Sequence, residues 1–274
     1  MRFGFLTFIT DEAISPIELG PALEERGFES LFVAEHTHIP VTHNSPYPSG
    51  GPIPRKYYRP LDPFVALTAV AATTRTLLLG TGIALLPERD PIITAKEVAS
   101  LDLVSGGRFI FGVGVGWLRE EVANHGVDPA VRGRVSDERL RAMIEIWLQE
   151  EAEFHGKYVD FDPIYCWPKP VTKPHPPLYV GGGPAIFKRI AEFGAGWIAL
   201  SPSPELLAGP LDELRAVAGP DVAVTVCQWG DATAETLEGY APLGVERVLL
   251  ELETMPHDET LRTLDDLAEL AQLS

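Results

Sequence analysis

Short runs of apolar and β-branched residues alternate with amphipathic stretches about eight times along the 274-residue chain. Compact apolar runs bounded by turn residues are typical of buried strands, and apolar residues spaced three and four apart are typical of helices. The predicted strands are 2–8, 30–34, 77–83, 108–115, 177–180, 196–200, 222–228 and 247–252. The predicted helices are 16–26, 63–73, 91–104, 136–151, 185–193, 204–217, 232–240 and 258–270.

Several predicted strands are apolar on both faces, as in Leu77-Leu78-Leu79. This pattern indicates a parallel sheet that is covered by helices on both sides or closed on itself. Eight consecutive strand–helix units predict the α/β class and a single (β/α)8 TIM barrel that occupies residues 1–274 as one domain. A doubly wound open sheet is the alternative, because periodicity does not show whether the sheet closes.

Two segments interrupt the alternation. Residues 43–62, after the second strand, are rich in Pro, Gly and Tyr and carry Arg55, Lys56 and Arg59. Long irregular loops in compact domains are often lids, so we expect this segment to cover a ligand. Residues 153–177, before the fifth barrel strand, contain FHGKYVDFD and predict a small hairpin followed by a Pro-rich return.

The charge of the chain restricts its partners. The formal net charge is −17, which opposes binding to nucleic acid and to anionic membrane surfaces. The two cysteines, Cys166 and Cys227, lie far apart without a second Cys or His at ligand spacing, so neither a disulfide framework nor a metal site is expected. No signal peptide or membrane span is predicted, and we expect a cytoplasmic protein that acts on a small molecule.

Candidate chemistry is sought where strands end, because active sites of (β/α)8 barrels lie at the carboxyl ends of the strands. The second strand is followed by Glu35-His36-Thr37-His38. A histidine there can donate or accept a proton near neutral pH, or can simply be hydrogen-bonded in the rim. Side chains alternate along an extended chain, so His36 and His38 should face opposite sides and only one should be functional.

Glycines concentrate at three further strand ends. Gly80 and Gly82 end the third strand, and the fourth ends with glycine at positions 112, 114 and 116, which leaves one face without side chains. Room for a flat ring system is the functional interpretation, and close strand packing is the alternative. The fifth strand ends in Gly181-Gly182-Gly183-Pro184, whose exposed amides can bind a phosphate at a helix start without net positive charge. Ser201, after the sixth strand, can join this site.

No nucleophile elbow, P-loop or metal-ligand cluster occurs in the sequence. A Schiff-base aldolase is also disfavoured, because no predicted strand interior contains a lysine. A bound organic cofactor is therefore the better source of reactivity.

The combined motifs resemble the luciferase-like monooxygenase superfamily and its coenzyme F420-dependent branch. The matching segments are colinear over about residues 1–200 and are RFGFLTF, GFESLFVAEH, LLLGTGIALLPERDPIITAKEVASLDLVSGGRFIFGVGVGWLREE, RGRVSDERLRAMIEIW, FHGKYVDFD, PPLYVGGGP and AEFGAGWIAL. The last two strand–helix units carry no recognisable motif.

The resemblance implies roles for individual residues. Gly82-Ile83 matches the position of a non-prolyl cis peptide behind the cofactor ring, and His36 matches a histidine near the hydride-transferring carbon. The candidate cofactor-binding residues are Gly82, Ile83, Gly114, Trp117, Gly181, Gly182, Gly183 and Ser201. Arg134 and Glu138 match a family signature on the fourth helix, where a structural salt bridge is the simpler interpretation.

The resemblance also implies a function. The leading hypothesis is hydride transfer between coenzyme F420 and an unidentified small organic substrate, with His36 as the catalytic residue. Trp117 replaces a glutamate that sugar-phosphate-oxidising relatives carry, which favours a more apolar substrate. An FMN-dependent monooxygenase that uses O2 is the nearest alternative, and a non-catalytic flavin- or deazaflavin-binding protein is another. Relatives are often dimers, so a homodimer is compatible with the resemblance.

Overall fold

The computed structural model describes residues 1–230 and 232–272. The strands are β1 (Arg2–Thr7), β2 (Ser30–Val33), β3 (Leu78–Thr81), β4 (Ala84–Leu85), β5 (Phe109–Gly114), β6 (Glu151–His155), β7 (Asp160–Tyr165), β8 (Leu178–Gly181), β9 (Gly196–Ser201), β10 (Val224–Gln228) and β11 (Arg247–Leu252). The helices are α1 (Pro16–Glu25), α2 (Pro63–Thr73), α3 (Pro91–Ser105), α4 (Arg119–Asn124), α5 (Arg132–Leu148), α6 (Phe187–Phe193), α7 (Pro204–Ala218), α8 (Ala234–Gly239) and α9 (His257–Leu270).

The parallel sheet closes into a barrel, as the strand–helix alternation predicts. β1 pairs with both β2 and β11, and the chain of parallel pairings continues through β10, β9, β8 and β5. The ring is completed where β3 pairs with β5, with Leu79 opposite Phe109. The short β4 continues along β5, with Ala84 opposite Val113. This closure excludes the open doubly wound sheet.

Sequence signals at the helix starts operate as expected. Asp62 precedes Pro63 and accepts a hydrogen bond from the Val65 amide at 3.0 Å, and Asp90 accepts one from the Ile93 amide at 2.9 Å. Each aspartate satisfies a backbone N–H that would otherwise lack a partner in the first turn of α2 or α3. These caps end the preceding loops at the barrel rim, so the caps help to place the loops that form the site.

One side chain from each barrel strand fills the lumen of the barrel. This interior cluster includes Leu6, Phe32, Leu78, Ile110, Tyr179, Ile198, Cys227 and Leu249, and Ile83 and Ala223 pack against it. Layers of side chains contributed by alternate strands are the normal filling of a (β/α)8 barrel, which is a packed core rather than a pore. The two cysteines, Cys166 and Cys227, are buried and unpaired.

The predicted hairpin before the fifth barrel strand is present, and β6 pairs antiparallel with β7. The interpretation of Arg134 and Glu138 as a salt bridge is wrong. Glu138 Oε1 instead accepts hydrogen bonds from the amides of Tyr158 (2.5 Å) and Val159 (2.8 Å) in the hairpin turn. Backbone N–H groups in a turn lose free energy if they have no acceptor, whereas the exposed Arg134 can be hydrated by water. Glu138 therefore binds the turn amides rather than Arg134.

The sequence pattern missed two short elements, β4 (Ala84–Leu85) and α4 (Arg119–Asn124). The segment between the fourth barrel strand and the long helix contains the six-residue α4, and α5 begins at Arg132 rather than at residue 136. A helix of less than two turns has too few positions to show a 3.6-residue period. In the part of the chain that the structure describes, no helix is both long and apolar enough to cross a membrane.

Gly112 provides a test of the close strand packing. A Cβ at this position would overlap the carbonyl oxygen of Thr81 and would lie 2.7 Å from Ile198 Cδ1. We expect Gly112→Ala to lower the free energy of unfolding by at least about 2 kcal/mol, because a backbone oxygen in a sheet has no room to move. Urea unfolding measures this value. Gly209→Ala is the control, since no atom lies within 4 Å of its Cβ position and we expect a change below about 1 kcal/mol. Equal stabilities for the two variants would contradict the packing argument.

Candidate active site

A cavity of about 530 Å3 opens at the carboxyl ends of the barrel strands. Every barrel strand, or the loop directly after it, contributes to its wall. Representative lining residues are Phe8, His36, Ile83, Trp117, Gly182, Leu200, Gln228 and Glu251. Ligand pockets in proteins have volumes of roughly 300–1,000 Å3, so this cavity can hold an organic cofactor ring or a drug-sized molecule.

Part of the cavity wall is formed by the break between β3 and β4. The Gly82–Ile83 peptide bond is cis, at the position that the sequence resemblance implied. The Gly82 amide donates to the carbonyl of Val33 at 2.8 Å, which holds this segment against β2. Gly82 and Ile83 both line the cavity.

Two glycines on neighbouring strands make room for the side chain of Ile83. A Cβ on Gly114 would overlap Ile83 Cδ1, and a Cβ on Gly181 would lie 2.8 Å from Ile83 Cγ2. Gly181 lines the cavity, whereas Gly114 lies behind Ile83 and outside the lining. Ile83 therefore occupies the space that Gly114 leaves free. The absence of a side chain at Gly114 allows the Ile83 side chain to project towards the cavity.

The most direct acid–base feature of the cavity is His36. Its Nδ1 lies 2.6 Å from Glu121 Oε2, and both side chains are almost fully buried. Glu121 Oε1 accepts hydrogen bonds from the amides of Thr37 (2.7 Å) and His38 (3.2 Å). Burial raises the pKa of Glu121, but the His36 hydrogen bond and charge, with the two amides, outweigh burial and lower it. An ionised Glu121 fixes Nδ1 as the protonated nitrogen and leaves Nε2 for chemistry.

His38 has a different environment. It does not line the cavity, and its Nδ1 and Nε2 lie 2.8 Å from Thr37 Oγ1 and 2.8 Å from Asn124 Nδ2. The two histidines therefore lie in separate environments, as the alternation of an extended chain predicts. Only His36 is placed to reach a molecule in the cavity.

Three aromatic rings lie around His36, and a fourth packs against two of them. Its ring centroid lies 5.2 Å from that of Tyr57, 5.7 Å from that of Trp117 and 6.3 Å from that of Phe8. Tyr47 contacts both Tyr57 and Trp117, with centroid distances of 5.3 and 5.9 Å. Tyr47 and Tyr57 belong to the 43–62 loop, so this loop forms one wall of the cavity and makes the surroundings of His36 apolar.

The cations of the 43–62 loop attach it to the rim of the barrel. Arg55 and Arg59 each pair with a carboxylate in the loop after β1. Lys56 pairs with one carboxylate in β11 and with another directly after β11. The pairs are Arg55–Glu12, Arg59–Asp11, Lys56–Glu251 and Lys56–Glu253. The expectation that these cations contact a ligand is therefore limited to Lys56, which lines the cavity while paired with Glu251.

Arg132, at the start of α5, is a cavity residue that the sequence did not reveal. Its side chain donates to the carbonyls of Gly116 (Nε, 3.2 Å) and Pro129 (Nη1, 2.7 Å). No carboxylate among residues 1–230 and 232–272 forms an ion pair with it, so the guanidinium keeps a charge and free N–H groups. Gly182, in the predicted phosphate-binding turn, lines the same cavity.

The remaining predicted phosphate ligands lie at the edge of this region. Gly183 and Ser201 are outside the cavity lining, although Gly183 has no atom within 4 Å of its Cβ position. The Ser201 hydroxyl donates to the carbonyl of Ser203 at 2.8 Å. The structure thus brings together His36, Gly82, Ile83, Trp117, Gly181 and Gly182 around one cavity, and places Gly114, Gly183 and Ser201 beside it.

Sequence reasoning missed Glu121 as well as Arg132. Glu121 lies in LREE, within a quoted family segment, but an Arg-Glu-Glu sequence is usually a solvated helix face. Only the packing of α4 against the end of β2 shows that this particular glutamate is buried. Arg132 follows the short α4, which the sequence pattern did not reveal, so its position in the cavity wall became visible only in the structure.

The fold and the cavity agree with a comparison of the chain with known families. The luciferase-like monooxygenase family model matches residues 1–271. The chain belongs to the luciferase-like monooxygenase family. The sequence resemblance is therefore confirmed, and it extends over the last two strand–helix units, where no motif was recognised.

Relatives within the luciferase-like family differ in cofactor. An uncharacterised protein of Mycobacterium tuberculosis is 39% identical, over 98% of both chains. An FMNH2-dependent dimethylsulfone monooxygenase of Pseudomonas putida is 32% identical over 47% of this chain and 36% of its own. An F420-dependent secondary alcohol dehydrogenase structure superposes with a TM-score of 0.77 at 18% identity, covering 98% of this chain and 97% of that one. The chain is thus similar to an FMNH2-dependent monooxygenase and also to an F420-dependent glucose-6-phosphate dehydrogenase of Amycolatopsis mediterranei, which is 28% identical over 68% of this chain and 53% of its own.

Proposed function

We propose that this protein transfers a hydride between coenzyme F420 and a small neutral organic substrate, with His36 exchanging the accompanying proton. The observation that carries the proposal is His36, held by the buried Glu121, in a cavity that the Gly82–Ile83 segment helps to form. Reduction of a carbonyl needs one hydride and one proton, and a positioned imidazole is suited to supply the proton.

The cavity fits the cofactor. A flat ring requires a wall without projecting polar groups, and Gly82, Ile83 and Gly181 provide one. A phosphate requires donors and positive charge, which Arg132 and the amides of Gly182 and Gly183 can provide despite the net charge of −17. When bound, the deazaflavin would supply or accept the hydride. The chain's own residues would orient it, exclude water and hold the proton at His36 Nε2.

The cavity also favours a class of substrate. The rings of Phe8, Tyr57 and Trp117 lie around His36, and Lys56, the cation of the loop that lines the cavity, is already paired with Glu251 and Glu253. A charged substrate would lose hydration on entering these surroundings without gaining an unpaired counter-charge near His36. We therefore infer a neutral, largely apolar carbonyl compound or alcohol as the substrate.

Cofactor choice is tested by fluorescence titration of the purified protein with F420 and, in parallel, with FMN. We expect tighter binding of F420, and we expect Arg132→Ala to weaken binding about tenfold or more, because a charge-assisted hydrogen bond is worth about 1.5–3 kcal/mol. Lys188→Ala, which removes a cation from the nearby α6 without lining the cavity, is the control. Binding of neither cofactor would refute the proposed function.

An FMN-dependent monooxygenase is the second candidate. The aromatic rings around His36 favour it as well, because apolar surroundings exclude water from an oxygen-activating reaction. The family relationship to an FMNH2-dependent monooxygenase adds support. Preferential FMN binding with consumption of O2 during turnover would establish this candidate over the first.

A further inference from the structure

A buried carboxyl group that the proposed reaction does not use lies next to the His36–Glu121 pair. Glu88 ends the short helical turn after β4, and its side chain has no exposed surface. Its Oε2 lies 3.4 Å from Thr37 Oγ1 and 3.7 Å from His125 Nε2. Its Oε1 has no hydrogen-bond partner among the described residues. Glu88 is therefore a buried acid without a strong cationic partner.

The Thr37 hydroxyl connects Glu88 to Glu121. Thr37 Oγ1 lies 3.2 Å from Glu121 Oε1, and Glu121 Oε2 lies 2.6 Å from His36 Nδ1. A hydroxyl has one proton and can donate it to only one of two carboxyl groups. Thr37 Oγ1 also lies 2.8 Å from His38 Nδ1 and 2.8 Å from His125 Nε2, and these ring nitrogens can donate to its lone pairs while its own proton goes to a carboxyl group. If that proton goes to Glu121, the nearer of the two carboxyl groups, Glu88 must be neutral or must face Thr37 without a donor.

The charges around Glu88 favour its neutral form. The carboxylates of Glu35 and Glu121 both repel a negative charge on it. The adjacent Arg89 is already bound to carboxylates, namely Glu35, Asp62 and Glu97.

Two other basic groups lie nearby. Arg139 on α5 donates to the carbonyl of Leu86 at 2.8 Å. His125, after α4, is partly exposed, and burial lowers its pKa, which reduces its positive charge. Burial, together with Glu121 and Glu35, raises the pKa of Glu88 to about 9. The pKa of Glu88 is raised and that of the neighbouring Glu121 is lowered, so Glu88 is the protonated group of the pair and Glu121 the ionised one.

We propose that Glu88 is a positioning residue that stays protonated at neutral pH, so that Thr37 donates to Glu121 and Glu121 remains ionised against His36. Ionisation of Glu88 would place a second carboxylate beside Thr37 and compete for its proton. The hydrogen bonds that hold Glu121 would then weaken, and the environment of the His36 ring would change. Only the consequence for catalysis rests on the proposed function, because the protonation of Glu88 is a property of the free protein.

Two measurements on the wild-type protein test this role directly. Infrared spectroscopy should show the carbonyl stretch of a protonated carboxylic acid at pH 7, where exposed carboxylates are ionised. This band should disappear with a midpoint near pH 9, the pKa of Glu88. NMR of protein labelled in its histidine rings should show a change in the His36 resonance with the same midpoint. The His36 resonance is assigned by its absence from His36→Ala.

Glu88→Gln is the matched variant, since an amide resembles the protonated acid in shape and charge. The pKa of Glu88 is higher in the folded protein than in the unfolded protein, where it is about 4.3. At pH 7 the unfolded state therefore releases this proton and the folded state does not, which lowers the stability of the wild type. The variant should therefore be at least as stable as the wild type at pH 7. It should lack both the infrared band and the alkaline change at His36. Glu120→Gln should keep both, since Glu120 is on α4 beside Glu121 but accepts hydrogen bonds from the amides of Asn44 and Ser45 rather than contacting Thr37 or Glu88.

Turnover supplies a third readout. Wild-type activity should fall above about pH 9, whereas Glu88→Gln should retain its activity there. Absence of the infrared band from the wild type, or an alkaline change at His36 that persists in Glu88→Gln, would overturn the proposal. If no substrate is turned over with either cofactor, the proposed function fails, and the infrared and NMR results still decide the state of Glu88.

Discussion

Replacement of His36 by alanine should abolish most turnover while leaving the cofactor bound. We expect kcat to fall by about 10²–10⁴-fold, the usual contribution of a positioned general acid or base. His36 is the cavity histidine, and its Nδ1 is held at 2.6 Å by Glu121, which leaves Nε2 for the substrate. The affinity for F420, measured by fluorescence titration, should change less than threefold or so, because Gly82, Gly182 and Arg132 are untouched.

His38→Ala is the matched control for this prediction. Its ring contacts Thr37 and Asn124 rather than the cavity, and the amide of residue 38 that Glu121 binds is preserved in the variant. We expect its kcat to stay within about twofold of the wild type, because the proposed proton transfer does not involve this ring. Equal turnover by His36→Ala and the wild type would remove His36 from the mechanism.

Replacement of Glu121 by alanine should have the largest effect on stability. Glu121 accepts hydrogen bonds from His36, from the amides of Thr37 and His38, and from the Thr37 hydroxyl. Removal of one partner from a buried ion pair costs about 3–5 kcal/mol, because the other partner stays buried without compensation. Urea unfolding at pH 7 measures the loss. The control is Glu192→Ala, which breaks the exposed pair with Arg141 and should cost no more than about 1 kcal/mol.

The stabilising effect of Glu121 should depend on pH in a defined direction. Its pKa is lowered in the folded protein, so its contribution is present above the unfolded pKa of about 4.3 and is lost as the pH falls through the folded value. The difference in unfolding free energy between the wild type and Glu121→Ala should therefore shrink in acid. A difference that stays constant down to about pH 3 would show that folding does not lower the pKa of Glu121.

Local sequence patterns predicted the scaffold well because the relevant forces are local. The predicted strand 2–8 became β1 (Arg2–Thr7), and the predicted helix 63–73 has those bounds in α2. Apolar continuity, proline in the first turn and an aspartate cap act within a few residues of one another. The position of the cis peptide at Gly82–Ile83 came from the family resemblance rather than from any propensity.

The sequence by itself thus determined the succession of strands and helices, the hairpin, the family and the cavity residues His36, Gly82 and Trp117. Tertiary structure alone decided that the sheet closes at β3 and β5, that Gly114 accommodates Ile83 rather than lining the cavity, and that the loop cations bind the rim. It also brought Glu121, from a helix too short to recognise, to His36 across 85 residues of sequence. Hydrophobic period is a property of neighbouring residues, whereas the burial and charge of a carboxylate depend on distant segments that only the folded chain places around it.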